Sequence, residues 1–102
     1  MDEIKAILIS ISDNVYCFTA KGNQTGTYIV YSVDGENALK AGNSRAETVQ
    51  EGTIDLYTKN PSDPFILQIP DALDLHQISF YLNSVQYEDE TGTIHYEWVW
   101  QA

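Results

Sequence analysis

The chain has almost no cysteine, no base in its last two-fifths and no long apolar run. Each shortage excludes something. The single cysteine, Cys17, cannot close an internal disulfide, and no CxxC spacing offers zinc a site. No stretch approaches the ~18 apolar residues of a membrane-spanning helix. The opening MDEIKAILISISDN does not read as a signal peptide: acids precede a short apolar stretch, and no small-residue cleavage site follows. A reducing, cytoplasmic setting is expected, or exit from a cell without secretion. Through Lys59 there are eight acids and five bases, a balance of −3; beyond it there are seven acids and no base, a balance of −7. Gripping phosphates takes lysine and arginine, so specific nucleic-acid binding is not expected.

What is present suffices for one domain over residues 1–102, with 43% hydrophobic residues. Ile4, Ile7, Leu8 and Ile11 recur at helical spacing behind two acids, which predicts a helix over 2–11, with a strand from Ile4 to Ile11 as the alternative that the β-branched residues leave open. NVYCFT, 14–19, and TYIVYSV, 27–33, read as strands joined in a hairpin through the Gly- and Asn-containing loop 21–26. Cys17 reads as a small buried hydrophobe. The polar segment DGENALKAGNSRA, 34–46, reads as a long surface loop. It is expected to be a mobile contact segment, with Lys40 and Arg45 inside it. ETVQEGTIDLYTK, 47–59, reads as a strand with a bulge at Gly52. NPSDP, 60–64, is a helix-start signal with Ser62 or Asp63 as cap and Pro64 first in the helix. Pro70 then predicts a kinked helix or two short turns over 63–74.

The C-terminal stretch alternates. Ile78, Phe80 and Leu82 oppose Ser79, Tyr81 and Asn83; Ile94, Tyr96, Trp98 and Trp100 oppose His95, Glu97 and Val99. DETG between the two runs ends in a glycine able to take positive φ. The pattern predicts a hairpin of 77–88 with 93–100, and an α/β (α+β) fold with helices on one face of a mostly antiparallel sheet.

Chemical motifs are sparse. His95 and Glu97 share a strand face, but a metal needs further ligands, and His76, expected to begin the preceding strand, lies far from the turn. The acids Glu88, Asp89 and Glu90 fall on a turn tip, where the burial that acid–base catalysis exploits is not expected. No GxSxG elbow, GxGxxG or P-loop occurs. Neither an enzyme nor a bound metal or cofactor is expected. Eight of the twelve aromatic residues follow residue 56. Tyrosine and tryptophan beyond the needs of a small core suit protein–protein contact.

An ordered series of segments adds to this: TYIVYSVDGE at 27–36, KAGN at 40–43, GTIDLYTKNPSDP at 52–64, ALD at 72–74 and SFYLNSVQYEDETGTIHYEWVW at 79–100. In these the chain resembles the small tail-completion, or tail-terminator, proteins of long-tailed phages and prophages of Gram-positive bacteria. Pro70 departs from the unbroken amphipathic helix that the resemblance leads one to expect there. The resemblance implies helices on a sheet and copies assembled as a ring, a hexamer in such families. The ring caps the completed tail tube, offers a face to the head connector and lets DNA pass through its centre. It further implies a virion component at the tail neck, assembled in the host cytoplasm. On this reading the partners are further copies of the chain, the tail-tube protein and the connector, with no membrane involved. Tyr57, Tyr81, Tyr87, Trp98, Trp100, Lys40 and Arg45 are the expected contacts; Glu88, Asp89 and Glu90 are the expected channel-facing acids. Two other readings stand beside it: another small neck protein of such a particle, and an acidic DNA-mimic inhibitor. Aromatic strands break the acid stripe that a mimic would need.

Overall fold

The structure is a computed structural model and describes residues 2–18, 26–39 and 47–102. Its elements run α1 (Asp2–Ile9), β1 (Val15–Cys17), β2 (Tyr28–Leu39), β3 (Glu47–Thr58), α2 (Phe65–Leu75), β4 (Ser79–Glu88) and β5 (Thr93–Gln101). The strands form one sheet in the order β1-β2-β3-β5-β4. Three of its four pairings are antiparallel. Both helices pack on one face, so the α+β expectation holds.

The core follows from two periodicities. Ile4, Ile7 and Leu8 make the buried stripe of α1, and Ile69 and Leu73 that of α2. They meet alternate strand residues: Ile29 and Tyr31 on β2, Ile54 and Leu56 on β3, Trp98 and Trp100 on β5. Register makes this one face, since Ile29 pairs with Leu56 and Tyr31 with Ile54, while Ile54 also pairs with Trp98 and Leu56 with Tyr96. Each fully buried aliphatic chain here contributes about 1.5–3 kcal/mol. Trp98 and Trp100 were expected at a contact surface. They are core residues instead, because the alternation that places His95 and Glu97 on the far face turns both indoles under the helices. The Trp100 indole N–H donates to the Thr53 carbonyl at 3.3 Å.

The first strand pair corrects an expectation. β1 runs parallel to β2, with Val15 opposite Ile29 and Cys17 opposite Tyr31, and is no hairpin partner. Alternation does not encode strand direction. Residues 18–27 can span roughly 33 Å when extended, enough to return the chain to its starting level. Phe18, at φ +69°, begins that departure. Cys17 is exposed, not buried, at the end of a strand of three residues on the sheet edge.

The expected loop 34–46 is largely strand. Gly35 through Leu39 pair with Glu51 through Glu47. Polar composition does not reveal ladder pairing, which uses the backbone alone. Lys40 and Arg45, with the rest of 40–46 and any mobility of that segment, lie outside the described residues. The expected bulge is present on the partner strand: the register slips between Val33 and Gly35, leaving Asp34 as the extra residue opposite Gly52 and Glu51. Gly52 itself is required by close approach. A Cβ there would collide with the Ser32 carbonyl and meet the Trp100 ring at 3.0 Å.

At α2 the capping signal is displaced by one residue. Pro64 occupies the cap position, and Asp63 accepts the Phe65 N–H at 2.9 Å. Pro70 lies within one continuous helix rather than dividing it. Ile69 and Leu73, fully buried on either side of it, hold the turn against the sheet. His76 is the C-cap of α2, donating its N–H to the Ala72 carbonyl, and does not begin β4. The C-terminal hairpin is as expected, with Gly92 at φ +71° donating to the Glu88 carbonyl at 2.8 Å.

Candidate functional site

The sheet face opposite the helices carries an aromatic row that crosses four strands. Tyr28 pairs with Tyr57, and Tyr57 pairs with His95, so their rings stand side by side. The Tyr28 and Tyr57 rings stack at 4.7 Å between centroids, and Tyr57 and His95 at 4.3 Å. Tyr16 of β1 meets Tyr28 edge-on at 6.3 Å. Directly opposed aromatic pairs of this kind are a unit of sheet stabilisation.

Beside the row runs a polar chain. His95 Nε2 lies 2.7 Å from Asp55 Oδ1. Thr53 Oγ1 donates to Asp55 Oδ2 at 3.2 Å, and Ser32 Oγ donates to Asp34 Oδ1 at 2.7 Å. The hydrogen bond that the His95 ring donates to Asp55 raises the His95 pKa above its ordinary value; burial opposes this, and the charges of Asp55, Glu97 and Glu88 add to the rise. Burial, with the Asp55 charge second, pushes the Tyr57 phenol up to about 12. Tyr28 is raised for the same first reason. His95, Asp55 and Tyr57 therefore form a cross-strand clamp tying β3 to β5.

A shallow depression of about 370 Å³ lies on this face, with Asp34, Glu51, Thr53, Tyr81, Val99 and Gln101 in its lining. Gln101 Nε2 donates to Glu51 Oε1 across it at 3.1 Å. A second polar node sits under the start of α2. Buried Asp63 accepts from Thr58 Oγ1 at 2.7 Å and Thr27 Oγ1 at 3.0 Å, in addition to the Phe65 N–H. It locks β2, β3 and α2 together.

The expected contact residues are scattered by this geometry. Tyr57 is half-buried within the aromatic row. Tyr81 and Tyr87 are 58% and 63% exposed, but on opposite faces of β4. The reason is a second register slip, between Leu82 and Ser84, which makes Asn83 an extra residue and resets the alternation. Leu82 points to the helix side, opposite Trp98, yet is half exposed on this outermost strand, next to exposed Val85. Glu88, Asp89 and Glu90 are all exposed at the hairpin end, where Glu88 accepts from Thr91 Oγ1. Sequence reasoning missed Tyr28 and Asp55. Their signal lies in pairing: Asp55 is 40 residues from His95, and nothing short of the β3–β5 register brings them together.

Fold and surface define an α+β chain with one helix-covered sheet face and a far face of stacked aromatic and acidic groups. No protein-family model matches the chain, and no curated protein is similar to it. Among solved structures, a chain in the virion of a native gene transfer agent (GTA) particle is 16% identical. That match covers 97% of this chain and 81% of the other, with a TM-score of 0.47. A likeness this distant leaves the function to the chain's own residues.

Proposed function

We propose that this protein is a structural component of a phage tail neck. It caps the completed tail tube as a homo-oligomeric ring and joins the tube to the head connector, without catalysing a reaction. The observation that carries this reading is the exposed hairpin β4–β5. It ends in three consecutive acids, presents Tyr81 and Tyr87 to solvent, and belongs to a segment with seven acids and no base. Such a surface suits contact with protein and passage of DNA without retention: carboxylates repel phosphate within a screening length of roughly 8 Å at physiological salt. The ordered series of segments that resembles tail-terminator proteins supports the specific role.

Tyr57, Tyr81, Tyr87, Lys40 and Arg45 remain the proposed contacts with neighbouring copies and the tail partner. Trp98 and Trp100 leave that set because the core holds them. The direct test is deletion of the coding segment from a phage that carries it. Separate heads and unjoined tails are expected, and complementation should restore joined particles. Normal joined virions lacking the protein would overturn the proposal.

A further inference from the structure

Among the described residues, the outer edge of β4 is a long, open and uncharged strand edge, interrupted only by the bulge at Asn83. β4 closes the sheet on one side, is ten residues long, and contains neither proline nor lysine. Proline, lysine and covering segments are the usual means of blunting such an edge. From Gln77 to Tyr87 the chain carries no charged side chain at all. Four large apolar residues stand along the strand, each at least half exposed: Tyr81, Leu82, Val85 and Tyr87. On the opposite side β1 is three residues long and pairs with β2 only from Ile29 to Tyr31, and the β2 segment beyond it carries Asp34 and Glu36, where β4 has no charge before Glu88.

The bulge at Asn83 gives this edge a symmetry. Before it, Phe80 and Leu82 point to the helix side; after it, Val85 and Tyr87 do, because they pair with Tyr96 and Ile94 of that face. An ordinary strand alternates without a break, so an antiparallel copy placed with Leu82 opposite Val85 would set unlike faces against each other. The extra residue corrects this. About a two-fold axis between Asn83 and Ser84, Leu82 meets Val85 and Phe80 meets Tyr87 on one face. Tyr81 meets Gln86, and Ser79 meets Glu88, on the other.

We propose that the free protein self-associates through β4 as an antiparallel two-fold dimer, joining two sheets into one of ten strands. Electrostatics selects a second copy as the occupant. Each chain carries −10, so copies repel except where charge is absent, and in this register no acid of β4 faces an acid. A basic partner would find no carboxylate between Gln77 and Tyr87 to recognise. The exposed area of one strand is small against the 20–30 residues a side of a standard interface, so the dimer is weak and concentration-dependent. Being isologous, it closes at two chains and does not propagate. It does not depend on the virion proposal and is distinct from a head-to-tail ring.

The test uses the intact chain. Sedimentation over a wide concentration range should show the mass rising from one chain toward two. The double variant Leu82→Lys/Val85→Lys should remain at one chain throughout, with an unchanged circular dichroism spectrum. Register is read by cysteine pairing in a Cys17→Ser background. Mixed Leu82→Cys and Val85→Cys chains should form disulfide dimers at least several-fold faster than either alone. Mass that stays at one chain, association unaffected by the lysine pair, or equal crosslinking in mixed and single samples would each overturn the proposal. If the lysine pair unfolds the chain, the crosslinking comparison decides.

Discussion

His95 shows how much of a site a single residue's neighbours determine. Its place on the strand face away from Trp98 is legible in the alternation of TIHYEWVW. Its partner is not, because Asp55 reaches it only through the β3–β5 register. The raised His95 pKa has a stability consequence. A group whose folded pKa lies above its unfolded value, about 6.5 for histidine, binds its proton more tightly when folded. The resulting stabilisation is complete below the unfolded pKa and is lost as pH rises through the folded pKa. Melting temperature should therefore fall as pH is raised through that window. His95→Gln should remove this step and lose about 1 kcal/mol at low pH, a charge-assisted bond discounted for partial exposure. Melting curves at several pH values, wild type against variant, check it; parallel profiles would contradict it.

The elements were legible where periodicity was strong and composition agreed with it. Both helices and the C-terminal hairpin follow from spacing, caps and a turn glycine. Other features escaped, among them the continuity of α2 through Pro70, the slip at Asn83, the direction of β1 and the length of β2. Strand direction at β1 depends on where the following connection leads, not on the strand's residues. The extension of β2 through DGENAL depends on backbone pairing with ETVQ, which polar side chains do not advertise. α2 carries the clearest element-level test. Pro70 cannot donate to the Ile66 carbonyl, yet the helix continues through it, held by Ile69 and Leu73. Packing has overridden a local penalty. Pro70→Ala should therefore stabilise the protein by about 1 kcal/mol as that backbone bond is regained. The urea midpoint should rise with an unchanged m-value; a lower midpoint would mean that the proline's own contacts outweigh the missing bond.

At the scale of the whole molecule, the fold separates its surfaces: helices and core on one side, an aromatic and acidic sheet face on the other, and an acid-tipped hairpin at one end. The overall class was legible because one-sided alternation in β5 demands a covered face. The fate of Trp98 and Trp100 was not, since composition alone does not tell which aromatics the core will use. If the hairpin tip lines the path of DNA, its charge matters and its fold does not. Replacing Glu88, Asp89 and Glu90 by lysine changes the net charge by +6, from −10 to −4, at exposed positions. Folding and ring formation should be normal, with DNA exit from assembled particles slowed or incomplete; exit at the normal rate would place the tip away from the channel. The central claim is tested most directly by electron microscopy of purified protein mixed with completed tail tubes. The account predicts a closed ring of this chain seated at one end of each tube, with the other end bare. Tubes that remain uncapped at protein concentrations well above those of assembly, or protein bound along the tube wall instead of its end, would contradict it.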